Sequence, residues 1–435
     1  MRYYAIVSIA YVSAFGNRNL EMILLENRKS TDPVYFHIDV NNAFLSWEAL
    51  YQMEELGSTE DIREQDAIIG GDISTRHGVV LAKSQSAKKY GIQTGEPVIS
   101  AMKKCPGLVR YTPHHEYYKK QSGKLMELFR TYAPVVDQYS IDEAFLDMSG
   151  TYSLYGNPVT FAYRLKDEIR DTLGFTVNIG ISSNRLLAKM ASDFTKPDRV
   201  HTLFPDEIRG KMWPLPVEDL FYVGKSTAAK LHSLGLHTIG DIARCDLAVM
   251  RSHFKSHGEV IYNFANGIDL TLEDRTEAVQ KGYGNSTTIP YDIKESEAAY
   301  HTIMKLCESV CSRMRRDHVQ ALVLSVELKD SNFVVRRHQR TLLSPTDVTD
   351  ECYAVACELF DELWDGSPIR LIGVTANKVE DAGNRQLNLF DMDSHDKKHN
   401  LDTALDSIRE KYGKDAVRRG SFFDKTPPRG GQRIL

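Results

Sequence analysis

The chain has 435 residues, room for two to four domains, and its 42% hydrophobic content is ample for buried cores. A formal net charge of −5 excludes a protein that is basic throughout, while leaving room for local basic stripes. The six cysteines (105, 245, 307, 311, 352 and 357) have neither disulfide-framework nor zinc-site spacing, which fits a reducing cytoplasm. Residues 1–31 read as an N-terminal extension. Its apolar run, Tyr3 to Phe15 behind Arg2, faintly resembles a signal peptide, but it is too short to span a bilayer, and Met22 is an alternative start. Val34, Phe36, Ile38 and Val40 then alternate on one face of a strand, leaving Asp39 on the other face near its end. A helix follows from Asn42 to Leu56, stopped by Gly57, with Phe44 in its first turn. Gly70-Gly71 and His77-Gly78 mark turns around a short strand over 79–83 and a basic helical turn over 84–90 that carries Lys88.

After a helix over 117–132 comes the stretch VVDQYSIDEAFLDM (135–148), two β-prone runs around the adjacent acids Asp142 and Glu143. On a straight strand these neighbours would point to opposite faces; a tight turn over 140–143 lets them converge. Two converging carboxylates repel and lose hydration, and a divalent cation is the simplest compensation. Solvated acids on a hairpin tip are the alternative, as a helix cap is for Asp39. Taken together, the three acids form a candidate two-metal carboxylate site. A helix over 160–173, a strand over 175–179 and a helix capped by Ser183 complete a ferredoxin-like order, with helices on one face of an antiparallel sheet. Lys196 follows, ahead of Pro197.

Glycine-punctuated helices fill 220–243, with Gly224 and Lys225 opening one of them at a phosphate-sized turn. Beyond a linker at 273–281, strands are expected at 284–289, 320–329, 333–341 and 370–378, a hairpin turn at Asp330-Ser331-Asn332, and helices at 296–316 and 349–364. Residues 281–345 hold ten Lys/Arg against seven Asp/Glu, a local excess that makes this sheet a candidate phosphate tracker through Lys281, Arg336, Arg337 and Arg340. Leu387, Leu389 and Phe390 stand among polar residues that would not fold alone, so they call for a groove to occupy. A last helix is expected over 401–418.

The blocks HIDVNNAF (37–44), AKSQSAKKYGIQTGEP (82–97), YSIDEAFLDMSG (139–150) and VNIGISSNRLLAKMASDFTKP (177–197), with the glycine-rich stretch at 220–243, resemble the Y-family DNA polymerases in sequence and in order. That resemblance implies an α+β right-hand polymerase. Its ferredoxin-like palm would be 32–52 and 115–203, its small fingers 53–114 and its helix-hairpin-helix thumb 204–272. A separate α/β little finger would span 282–379, followed by a tail over 380–435.

The resemblance further implies low-fidelity translesion synthesis with two Mg²⁺ ions held by Asp39, Asp142, Glu143 and the Val40 carbonyl. Phe44 would be a gate against ribose, and Lys88 and Lys196 would meet the triphosphate of a deoxynucleotide. Gln386, Leu387, Leu389 and Phe390 would bind a sliding clamp, and the enzyme would work on primer-template DNA as a cytoplasmic monomer. The chain departs from the family pattern at Asn41 (commonly acidic), at Ala82 and Gln85 (Thr and Tyr phosphate contacts in some relatives) and at Tyr222 (often Gly). A nucleotidyl cyclase would need neither thumb nor clamp peptide, and a catalytically inactive DNA-binding protein would be expected to have lost a carboxylate.

Overall fold

The structure is a computed structural model that describes residues 32–73, 78–270, 280–381, 392–413, 415–417 and 419–420. It forms two compact units that divide near residue 275.

The first unit is built on a five-stranded sheet. Strand β1 (Tyr35–Val40) leads into helix α1 (Ala43–Glu54) through Asn42, whose left-handed backbone (φ 50°) turns the chain within two residues. A small sheet follows, made of β2 (Ala67–Gly70), β3 (Val80–Lys83) and β4 (Val109–Tyr111), with the short helices α2 (Gln85–Lys88) and α3 (Val98–Lys104). The chain returns through α4 (His115–Tyr132), the hairpin β5 (Val135–Gln138) and β6 (Glu143–Asp147), α5 (Pro158–Leu173), β7 (Val177–Ser182), α6 (Arg185–Ser192) and β8 (Val200–Thr202). The strand order is β5-β6-β1-β7-β8, with β1 antiparallel to both neighbours and β7 parallel to β8.

The alternation read from the sequence decides which face of β1 is core. Phe36, Ile38 and Val40 are buried with Trp47 of α1, Leu125 and Phe129 of α4, and Phe161 and Leu165 of α5. Each such side chain contributes about 1.5–3 kcal/mol by leaving water. The opposite face carries His37 and Asp39. The expectation of helices on one face only is corrected here, because α6 lies on this second face. A Cβ on Gly180 of β7 would stand 2.0 Å from the Ala188 carbonyl oxygen, so the missing side chain is what lets the helix sit down on the strand. The α6 cap is also corrected: the Asn184 side chain, not that of Ser183, accepts from the Leu187 amide at 2.8 Å.

Four helices complete the unit: α7 (Lys225–Ser233), α8 (Ile239–Arg244), α9 (Leu247–Phe254) and α10 (Ser256–Ala265). Gly235, at φ +77°, supplies the turn between α7 and α8.

The second unit is an antiparallel sheet in the order β11-β10-β12-β9, from β9 (Gly282–Ile293), β10 (Val319–Asp330), β11 (Val335–Thr346) and β12 (Ile369–Asp381). Helices α11 (Ser296–Arg316) and α12 (Thr349–Leu363) cover one face. A last helix, α13 (Met392–Tyr412), begins nine residues before the expected start and ends ahead of Gly413. Buried Arg315 of α11 holds it through Asp402 (3.2 Å) and Asp406 (2.7 Å). The extension 1–31, the clamp-type residues Gln386, Leu387, Leu389 and Phe390, and most of the 273–281 linker lie outside the described residues. No described helix is long and apolar enough to cross a membrane.

Candidate active site

Asp39 is paired directly with Glu143 across β1–β6 and with Asn178 across β1–β7. Such cross-strand neighbours have Cβ atoms about 5 Å apart and share a face of the sheet. Asp142 occupies the turn just before β6. Its backbone oxygen accepts from the Val40 amide at 3.0 Å, and its carboxylate accepts from the Ser140 hydroxyl at 2.6 Å. A turn is therefore present at the adjacent acids, pinned to the end of β1.

Asp39, Val40, Phe44, Ala82, Gln85, Lys88, Asp142 and Lys196 line one cleft of about 460 Å³. Glu143 does not line it, so the expected convergence of the two adjacent carboxylates is corrected: Asp142 faces the cleft and Glu143 does not. The Glu143 carboxylate turns to the Lys189 ammonium at 2.9 Å, with the Nε2 of buried His37 at 3.8 Å. Asp39 in turn pairs with the Lys196 ammonium, which also meets Asp193 at 3.0 Å. Among the described residues, no three His, Cys, Asp or Glu side chains converge as a metal cluster in this arrangement. Two lysines supply the compensating charge instead, each on its own carboxylate. The donor set still suits a hard cation, since Asp39, Val40 and Asp142 line one cleft and Glu143 is the direct cross-strand neighbour of Asp39.

Burial pushes Asp39 above the ordinary carboxylate range, with Lys196 pulling against it. His37 and Lys189 draw Glu143 down to about 2; the ammonium at hydrogen-bond length is the firmer partner. Burial also lowers His37, which bonds Ser192 through Nδ1 at 2.7 Å.

Phe44 packs against Tyr118 (centroids 5.2 Å) and meets His115 edge-on at 5.7 Å, which fixes its ring at the cleft wall. Of the residues available to replace the Thr and Tyr phosphate contacts, Ser84 is spent as the α2 cap, accepting from the Ala87 amide, and Lys83 bonds Thr94. Gln85 alone of the three lines the cleft.

Gly224 is the N-cap of α7, with no side chain capping it, and Lys225 next to it is exposed. Tyr222 holds a left-handed backbone (φ 74°) that costs a side-chain-bearing residue about 1–2 kcal/mol. Lys281 is exposed just before β9. The β10–β11 register separates the three arginines. Arg336 and Arg340 are opposite Leu328 and Leu324, on the helix-covered face, and are engaged by Asp365 (2.8 Å) and by Glu358 and Glu362. Arg337 is opposite Glu327 on the bare face, and the two form an ion pair.

Lys189 and His37 were missed in the sequence. The available signal was a lysine set among the apolar residues of α6 (Leu186, Leu187, Met190), where a solvated charge has no place.

Sequence profiles of the impB/mucB/samB family match residues 38–193, its C-terminal domain matches 280–389, and the HHH motif of the IMS family matches 205–236. A DNA polymerase IV of Clostridium acetobutylicum is 42% identical over 90% of this chain and 98% of its own length; one of Acetivibrio thermocellus is 36% identical over 92% and 99%. A solved Y-family DNA polymerase chimera shares the fold, with a TM-score of 0.66 and 21% identity over 80% of this chain and 99% of its own. With its carboxylate-lined cleft, its helical hairpins and its separate C-terminal sheet domain, the chain belongs to the impB/mucB/samB family, the Y-family of DNA polymerases.

Proposed function

We infer that this chain is a template-directed DNA polymerase that adds deoxynucleotides to a primer 3′-hydroxyl and extends across damaged templates. The observation carrying this reading is that Asp39, Asp142, Phe44, Lys88 and Lys196, delivered by four separate segments of the first unit, line a single cleft. Asp39, Asp142 and Glu143 with the Val40 carbonyl would hold two Mg²⁺ ions, whose Lewis acidity lowers the pKa of the primer hydroxyl and offsets charge developing at the α-phosphate. Lys88 and Lys196 would neutralise the outer phosphates, with Gln85 as the remaining polar contact. The Phe44 ring would exclude a 2′-hydroxyl by contact.

In this reading 32–52 and 115–203 are the palm, 53–114 the fingers, 204–272 the thumb and 282–379 the little finger. The uncapped α7 terminus at Gly224 and Lys225 would take a DNA phosphate, and the bare sheet face of the second unit would follow the duplex. Ser286, Thr288, Gln339 and Arg337 stand on that face; Arg336 and Arg340 would stay with their carboxylates. Residues 386–390 would engage a sliding clamp, and the enzyme would act as a cytoplasmic monomer. Neither a cyclase nor an inactive DNA-binding protein is favoured, since the thumb helices and all three carboxylates are present.

The test is a primer-extension assay with the full chain, Mg²⁺ and each deoxynucleotide singly. Incorporation dictated by the template base supports the reading; product indifferent to the template overturns it.

A further inference from the structure

Two buried asparagines account for the position of the segment that carries Lys196. Asn178 is fully buried on β7, and Asn41, next to Val40, is nearly so. The Asn178 side chain donates to the Ser192 carbonyl (3.0 Å) and the Thr195 carbonyl (2.9 Å), and accepts from the Arg199 amide (3.2 Å) and the Asn41 side-chain amide (3.2 Å). Asn41 in turn accepts from the Asp198 amide (2.8 Å) and the Thr176 hydroxyl (3.1 Å). Because Asn178 faces two carbonyls with its nitrogen, its oxygen must face Asn41, and the orientation of both amides follows. Four backbone points, at 192, 195, 198 and 199, thus end on two side chains, and they bracket Lys196 on both sides.

We propose that the Asn41–Asn178 pair positions Lys196 for the triphosphate. The pair touches no reacting atom; its role is carried through the lysine. This proposal rests on the reading of Lys196 as a triphosphate contact. It explains why an amide stands at 41. A carboxylate there could keep the bonds from Asp198 and Thr176 but would set oxygen against the Asn178 oxygen, which cannot turn away without taking its nitrogen off the buried Ser192 carbonyl and off the Thr195 carbonyl. Asn41 and Asn178 are a matched set. A lysine on a segment free to shift would lose much of its effect, since misplacement of a contact by about 1 Å can cost as much as 10²-fold.

The test is single-nucleotide incorporation by the full chain on a primer-template, comparing Lys196→Ala, Asn178→Ala, Asn41→Ala and Lys196→Ala/Asn178→Ala, with duplex affinity and thermal melting measured on each. The proposal expects Asn178→Ala and Asn41→Ala to raise the nucleotide KM by about tenfold at unchanged duplex affinity. It expects the double variant to be no worse than Lys196→Ala alone. Asparagine variants that fold with wild-type KM, or a double variant whose losses multiply, overturn it. So does failure of both asparagine variants to fold, which would make the pair a core support only. A wild-type KM in Lys196→Ala overturns the triphosphate reading itself, which is a separately identifiable result.

Discussion

Asp39 and Glu143 face each other across β1 and β6, yet each carboxylate ends on a different lysine: Asp39 on Lys196, Glu143 on Lys189. Asp39 is buried and Glu143 partly so; acids so placed require positive charge between or beside them, and here two ammonium groups provide it. Because Lys189 is itself buried, removing it leaves a carboxylate with no cation. Lys189→Met is expected to destabilise the fold by about 3 kcal/mol. Adding Glu143→Gln should recover part of that loss. Denaturant melts of the single and double variants check this; a double variant as unstable as the single one would contradict it.

The contact between α6 and the sheet depends on an absent side chain. In Gly180→Ala the new Cβ would meet the Ala188 carbonyl at 2.0 Å and the Ser192 amide nitrogen at 2.4 Å, both of them backbone. The helix would have to lift, carrying Lys189 away from Glu143. A loss of about 3 kcal/mol or more is expected, at the top of the usual overpacking range. A thermal melt within a degree of wild type would contradict the packing described.

Much of this architecture was legible in the sequence, and the exceptions have physical causes. Alternation along 34–40 placed Asp39 away from the core, and a turn at the adjacent acids 142 and 143 was one of two readings, so Asp39 and Asp142 could be named from the residues. Phe44, Lys88 and Lys196 came from the resemblance, and Glu143, named with them, turns away from the cleft. The Lys189–Glu143 pair could not, because it depends on which face of the sheet α6 covers, and that choice rests on a contact at Gly180. The arginines of β11 are a different case. Neighbours on a strand must point to opposite faces, so Arg336 and Arg337 could never have served one surface. Which of them faces the helices follows only from the register against β10. The earlier start of α13 was hidden because its first turns are polar and are held by Glu351 and Asp347, through His395 and His399.

The capping box on α8 gives a stability difference that depends on pH. Asp241 accepts from the His237 amide (3.1 Å) and the Thr238 amide (2.9 Å), while the Thr238 hydroxyl accepts from the Asp241 amide. These donors hold Asp241 down to about 2. A carboxylate depressed in the folded state stabilises above its unfolded pKa of about 3.9, and that contribution is lost as pH falls through the folded value. Asp241→Ala should therefore cost about 1 kcal/mol at pH 7. The gap to wild type should narrow between about pH 4 and pH 2. Chemical denaturation at several pH values reads this directly, and a gap that widens on acidification would contradict it.

The Phe44 ring is braced by Tyr118 and His115, so it cannot swing away from a bulkier sugar. Phe44→Ala should raise ribonucleotide over deoxyribonucleotide incorporation by about tenfold or more, the scale of one steric contact in a pocket. Competition between the two sugars on one template measures it. Unchanged selectivity would remove Phe44 from that role.

The most direct measurement pairs primer extension with duplex binding in Asp142→Ala. Asp142 holds the turn through its backbone oxygen, which the substitution keeps, so the fold and the binding surface should survive. Extension should drop to background while duplex affinity stays within about twofold of wild type. Substantial template-directed extension by the folded variant would mean that the chemistry does not pass through these carboxylates.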